Sequence, residues 1–414
     1  MTLTKRVLMI AYHFPPLAGS SGIQRTLRFV QHLPALGWQP LVLTTQPLAY
    51  ERTSADLDAD VPTGTVVRRA YALDTARHLA LGGRYVGRMA RPDRWVSWRF
   101  DGVRQGMRLI REFKPRVIWS TYPIATAHLI GAELHRRTGI PWVADFRDPM
   151  AQDGYPPDAL TWQQYQAIES NALQHAACST FTTPSSAAAY RKRYPSVAAR
   201  VEVLENGYDE EAFAAAGSAL RQPLNPGAVT LLHSGIVYPN ERDPTQLMVA
   251  LRRLHDAGAL LPGQLKVRFR AAVAEDFLRK LAVEHAVLPY VEICPALPYR
   301  NALAEMLSAD GLLVLQAANC NAQIPAKLYE YFRAGRPIVC LTDPAGDTAQ
   351  ALRAAGLETI AQLDDARDIA RLLQQFLQQV GNGTTGLPSA EAVSRASRRQ
   401  RSAEFAALLD RVGA

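Results

Sequence analysis

"GLLVLQAANCNAQIPAKLYEYFRAGRPIVCL", residues 311–341, reads as a strand, a loop, a helix and a second strand in direct succession. GLLVLQ is a short apolar run, and a loop rich in Asn and Gln follows it. Pro325 then stands where the first turn of a helix accepts it, Gly335 ends that helix, and RPIVCL begins another apolar run. Apolar runs without polar alternation are strands buried on both faces, which means a parallel sheet covered by its own crossover helices. The same pattern extends outward in both directions. RVLMIAY, QPLVLTT, RVIWST, PWVADF, STFTTPS and RVEVLEN occupy the first half, and VTLLHSG, KVRFRAA and YVEICPA precede GLLVLQ in the second. Helical segments separate the runs, so each half is expected to be a doubly wound α/β domain.

A chain of 414 residues exceeds one ordinary core, and two domains are the default expectation. The expected division lies in ENGYDEEAFAAAGSALRQPLNPGA, where Gly, Pro and Asn separate two strands. This gives an N-terminal domain over 1–207 and a C-terminal domain over 226–388. The segment 389–414 is expected to be a helix that packs back on the first domain. Ligands of open α/β sheets bind beyond the carboxyl ends of the strands, and two such domains are expected to face each other across a cleft.

Hydrophobic residues make up 48% of the chain and charged residues 20%, the balance of a soluble globular protein. No apolar run approaches the roughly 20 residues of a membrane span, and the first one meets Pro15 early, so it reads as a first strand rather than a leader. The four cysteines are scattered without CxxC spacing, which points to reduced thiols in a cytoplasmic protein, with neither a disulfide framework nor a zinc site. The net charge of +8 is local. Thirteen Lys/Arg and four Asp/Glu fall between Arg68 and Arg116, mixed with Tyr85, Trp95, Trp98 and Phe100. Arginines interleaved with rings suit an anionic membrane surface, or else a solvated basic face with packed aromatics. Nothing resembles a nucleic-acid-binding signature, and nucleic acid is not an expected partner.

Four stretches carry chemistry. In AYHFPPLAGSSGIQRTLRF, prolines stiffen the exit of the first strand, and Gly19, Ser20, Ser21 and Gly22 strip bulk from the start of a helix, where unpaired N–H groups attract phosphate. The alternative is a Ser-capped helix start with no ligand. In IPWVADFRDPM, a buried strand delivers Asp145, Arg147 and Asp148 at its carboxyl end; they form either a site edge or a structural Asp–Arg bridge. In LLHSGIVYPNERDP, Gly235 after a strand and Arg242 beyond it suit a diphosphate, although Arg242 reads equally as a solvated loop residue. In the opening stretch, Lys327 and Glu330 share a helix face: Lys327 offers a phosphate contact and Glu330 a ribose contact, or the two form a surface ion pair.

Taken together, the small-residue loop after the first strand, RVEVLENGYD, HSGIVYPNERDP and IPAKLYEYFRAGRPIV resemble the retaining glycosyltransferases of family 4 over nearly the whole chain. The resemblance implies the GT-B fold, an α/β architecture of two Rossmann-like domains around a central cleft. It implies that Glu330, the second glutamate of the E-x7-E motif, binds the ribose of a nucleotide-diphosphate sugar. Arg242 falls where the family places a diphosphate Lys, and Arg147, flanked by Asp145 and Asp148, takes the place of a His near the reacting sugar. Two departures stand out. Ala322 replaces the first glutamate, leaving Asn321 or Gln323 for the donor sugar, and Ile236 replaces an Arg, leaving Lys327 as the substitute cation. These changes resemble a subset of the family with iPxKlfEY and dfRDpw motifs.

The expected catalytic residues are therefore Arg242, Lys327, Glu330, Asp145, Arg147 and Asp148. The donor side is expected to use Gly19, Ser20, Ser21, Gly22, Gly235, Asn321, Gln323, Ile324 and Pro325, and the acceptor side Arg25 and Tyr122. No metal or cofactor is expected, since cations and helix N-termini supply the charge stabilisation that a leaving diphosphate needs. The expected partners are a UDP- or GDP-linked sugar, a lipid-linked or glycan acceptor of the cell envelope, and the inner membrane surface. The competing readings are a nucleotide-sugar epimerase or phosphorylase on the same fold, and a GT-B partner subunit without turnover.

Overall fold

The computed structural model describes residues 5–20, 22–217 and 222–414. The chain divides into two compact units, residues 1–205 with 398–414 and residues 206–397. The first is built on seven strands: β1 (Lys5–Ile10), β2 (Trp38–Thr45), β3 (Val66–Ala70), β4 (Val117–Thr121), β5 (Trp142–Arg147), β6 (Cys178–Phe181) and β7 (Val201–Val203). The second is built on six: β8 (Val229–Ser234), β9 (Leu265–Arg270), β10 (Val291–Cys294), β11 (Gly311–Leu315), β12 (Ile338–Leu341) and β13 (Ile360–Ala361).

Both sheets are wholly parallel. Their orders are β3-β2-β1-β4-β5-β6-β7 and β10-β9-β8-β11-β12-β13. In each, the chain winds outward one way from a central strand and then returns to wind the other way, so the order reverses once, between β1 and β4 and between β8 and β11. Such a reversal leaves a crevice at the carboxyl ends of the two strands, because their following connections leave on opposite faces. The strands beside it are buried throughout or nearly so: every residue of β4, β11 and β12, and the last four of β1. That is what the unbroken apolar runs in the sequence require.

The two strands absent from the sequence reading are edges. β3 is VVRRA, and Arg68 and Arg69 break its apolar run; its register is set by backbone pairing, Leu41 with Val66 and Val42 with Val67. Edge strands tolerate charge because one of their sides faces no neighbour. β13 contributes only two residues.

The large rings of the first unit fill both faces of its sheet. Trp98 and Trp142 lie in one cluster, and Trp38 and Trp119 in another, with Phe29 and with Phe405 and Leu409 of the helix Arg398–Val412. The segment from 389 onward holds two helices, Ala390–Arg395 in the second unit and Arg398–Val412 in the first.

Candidate functional site

The first unit places three polar side chains around the start of its first helix, Gly22–His32. Arg25, one turn in, is buried and donates to both oxygens of Asp145, from Nε at 3.0 Å and Nη2 at 2.8 Å. It also donates to the carbonyls of Leu204 and Glu205. Thr121 and Thr180 complete the Asp145 carboxylate with hydroxyl donors at 2.8 Å each. Burial by itself would raise this carboxyl; Arg25 and the two hydroxyls outweigh it and hold Asp145 below its ordinary value. Asp145 and Arg25 form a buried internal cross-link between the first helix, the sheet and the segment just after β7. The structural bridge weighed for Asp145 exists, but its partner is Arg25 and not Arg147.

Arg147 is free of that bridge. The register of β5 against β6 shifts between Asp145 and Arg147, and Arg147 takes a left-handed backbone with φ 59°. Thr182 holds its carbonyl through both N–H and hydroxyl. The guanidinium reaches Gly22, where a Cβ would stand 2.6 Å from Nη1 and 2.8 Å from Nδ1 of His13. Gly22 is therefore bare because Arg147 and His13 occupy that space, a reason that no local reading supplies. Gly19 is required by its φ of 81°. Ser20 accepts from the Gly22 N–H at 3.3 Å and so caps the helix start, while Ser21 lies outside the described residues. Asp148 is exposed next to Arg147.

His13, which sequence reasoning passed over, belongs to this cluster. Burial first, then the Arg147 charge, lower it to about 3, so the imidazole is neutral at physiological pH. It lines a pocket of about 250 Å³ with Tyr12, Gly19, Ser20, Arg52 and Trp95. The only signal was position, directly after the β1 run and before the prolines. Tyr122, assigned to the acceptor, is buried against the Tyr165 ring, and its phenol is pushed far up by that burial. It shapes the end of β4 and offers little surface to a ligand.

The second unit builds its cluster where β8 and β11 part. Gly235 follows β8 with φ 122°, a backbone that side chains rarely adopt. A Cβ there would sit 3.1 Å from Lys327 Nζ. Lys327 opens the helix Lys327–Ala334 and approaches Nε2 of His233 at 3.0 Å. Burial, then the Arg242 charge, bring its ammonium well below the ordinary value, with Glu330 acting the other way. Arg242 is half-buried: Nη1 donates to the Ile236 carbonyl at 2.6 Å and the guanidinium lies over the Tyr238 ring at 5.0 Å, and among the described residues it forms no ion pair. The surface pair weighed for Lys327 and Glu330 is not formed. Glu330 instead accepts from the Tyr299 hydroxyl at 2.8 Å.

The loop between β11 and this helix is held by its own polar groups. Asn321 donates to Asp343 at 2.6 Å, and its carbonyl receives the Asp347 N–H. Gln316 donates to the carbonyls of Cys320 and Gln323. Among the described residues the Asn321 Oδ1 is buried without a hydrogen-bond partner, the Gln323 side chain is exposed, Ile324 is buried and Pro325 leads into the helix. Half-buried Ala322 brings no side-chain donor. Among the described residues no helix is long and apolar enough to cross a membrane.

Comparison with known proteins agrees with this architecture. Residues 21–207 match the glycosyl transferase 4-like domain. No curated protein sequence matches the chain. Among solved structures, sucrose-phosphate synthase of Thermosynechococcus elongatus is similar with TM-score 0.67 at 14% identity, over 98% of each chain. Anabaena HepE in complex with UDP is similar with TM-score 0.68 at 13% identity, over 98% of this chain and 100% of that one. The trehalose 6-phosphate synthase of Burkholderia multivorans follows at 0.64 and 13%, over 99% and 97%. At such identities the likeness establishes the fold: the chain has the GT-B architecture of two Rossmann-like units, and its residues 21–207 match a glycosyl transferase 4-like domain.

Proposed function

We propose that this protein is a retaining glycosyltransferase that moves a sugar from a nucleotide-diphosphate sugar to an acceptor of the cell envelope. The observation that carries the reading is the second unit's pair of cations, Lys327 and Arg242, placed beside a glycine where the strand order reverses and, among the described residues, paired with no carboxylate. Unneutralised cations at a partly buried strand end are costly unless an anion completes them. A diphosphate meets that need, and Anabaena HepE, of the same fold, is solved with UDP and with UDP-glucose.

In this reaction the bond from the anomeric carbon to the diphosphate breaks, the acceptor oxygen takes its place at that carbon, and the acceptor proton passes to the departing phosphate. The main demand is charge on the leaving group. Lys327 and Arg242 meet it electrostatically, with no metal required, and Glu330 orients the donor through its ribose. Arg147 and His13 of the first unit form the acceptor-side polar cluster, with Gly19, Ser20 and Asp148 beside it. A thermal shift with UDP, GDP and their sugars tests the donor assignment: the nucleotide that raises the melting temperature of the wild type should do little for Glu330→Ala. Equal shifts in both proteins would remove Glu330 from the site.

The acceptor is proposed to be lipid-linked and the enzyme to work at an anionic membrane face. Support comes from the segment around 79–100, where Leu81 is 87%, Val86 65% and Phe100 80% exposed among the exposed arginines Arg84, Arg88 and Arg99. Trp98, expected on the same face, is fully buried, and Trp95 packs against the core.

A further inference from the structure

His233 is the fifth residue of β8 and has no exposed surface. The Phe269 ring packs against it and the Ile236 backbone acts on it, and each ring nitrogen has one close polar contact. Nδ1 lies 3.0 Å from the Leu313 carbonyl on neighbouring β11, and Nε2 lies 3.0 Å from Lys327 Nζ. A carbonyl oxygen only accepts, so Nδ1 carries the hydrogen, and Nε2 turns its lone pair toward the lysine. On the remaining side of Nζ stands Gly235, at 3.1 Å from where a Cβ would be. Among the described residues no carboxylate pairs with Nζ.

We propose that His233 is a positioning residue for the donor diphosphate: its Nε2 lone pair anchors one N–H of Lys327 and aims the rest of that nitrogen over Gly235 at a phosphoryl oxygen. The inference rests on the reading of the second unit as a nucleotide-sugar site. A carboxylate in place of the imidazole would hold Lys327 equally well but cancel its charge, and an apolar side chain would leave the flexible lysine stem undirected. The neutral ring does neither. The charged and titratable groups facing the pair are Arg242 from the loop after β8 and Glu330 from the lysine's own helix. Burial and then the Lys327 charge keep His233 neutral well below its ordinary value. Burial and then Arg242 depress Lys327, and an incoming diphosphate opposes both.

The test compares wild type, His233→Gln and His233→Phe by calorimetric titration with UDP and GDP, with uridine and guanosine as controls. Gln retains an acceptor near the Nε2 position, whereas Phe removes it. For the diphosphate that the wild type binds, affinity should fall about tenfold or more in His233→Phe and return to within about threefold in His233→Gln, the scale of one charge-assisted hydrogen bond. The matching nucleoside should bind all three proteins alike. Nitrogen-15 spectra of the wild type near pH 6 should show the Nδ1–H tautomer. A folded His233→Phe that binds the diphosphate as the wild type does, or an Nε2–H or doubly protonated ring, would overturn the inference while leaving the donor site standing. A wild type that binds neither UDP nor GDP would sink the donor reading, and this inference with it.

Discussion

His13 and Arg147 illustrate what a single residue contributes when its environment decides its charge. An unfolded chain protonates His13 near its ordinary value of 6.5, while the folded chain, with burial and Arg147 against the imidazolium, resists until about 3. Between those values the unfolded state binds more protons, so the contribution of His13 is full above pH 6.5 and is lost progressively as pH falls toward 3. Replacing it by Gln removes that titration. In urea denaturation between pH 7 and 4, His13→Gln should lose stability less steeply with acid than the wild type; identical slopes would mean that His13 titrates like an exposed histidine. At this scale the sequence is least explicit. Residue types at the strand ends were legible, but their partners were not, because Arg25 and Asp145 are 120 positions apart and His233 and Lys327 are 94 apart. Lys327 and Glu330, whose spacing did suggest a pair, each bond elsewhere.

Elements were more legible, since hydrophobic period and helix punctuation are local properties. Their faces were not always so. The helix Trp98–Phe113 reads in sequence as part of a basic stretch, and Arg99, Phe100 and Arg104 are indeed exposed. Its opposite face carries Gly102 and Gly106, four residues apart, against the helix Thr126–Thr138. A Cβ on Gly106 would stand 2.5 Å from a Leu134 methyl carbon, and one on Gly102 would stand 2.6 Å from Ile130 Cδ1. The glycines set how closely the two helices approach, and that close approach lets Leu134 and Ile130 fill the space between them. Gly106→Ala gains helix propensity of about 1 kcal/mol but overpacks this contact at a cost of about 1–3 kcal/mol. The expected net result is a loss of stability in urea denaturation, and a gain would show that the helices can separate freely.

For the molecule as a whole, the parallel sheets follow from unbroken apolar runs, and this is why strand ends at β1, β5, β8 and β11 could be singled out before any contact was known. The edge strands and the fate of each ring in the basic stretch depend on tertiary packing, and there the reading needed correction. What packing leaves outside is informative in its own right. Leu81, Val86 and Phe100 remain on the surface of the first unit while Trp98 of the same segment is buried, so the fold had room to select and left these three exposed beside arginines. Rings and aliphatic tips among cations suit the headgroup boundary of an anionic bilayer, where insertion and charge attraction act together. Charge attraction across water is screened over about 10 Å at 0.1 M salt and about 3 Å at 1 M, whereas apolar insertion is not weakened by salt. The protein should therefore sediment with phosphatidylglycerol vesicles at low salt, less so at high salt, and weakly with phosphatidylcholine vesicles at any salt. Leu81→Ser, Val86→Ser and Phe100→Ser combined should reduce the bound fraction on anionic vesicles severalfold while leaving UDP or GDP binding unchanged, since all three belong to the first unit and the cation cluster to the second. Absent sedimentation would show that this face is simply solvated and would remove the membrane from the proposed function, and sedimentation that ignores salt would remove the arginines from the attraction.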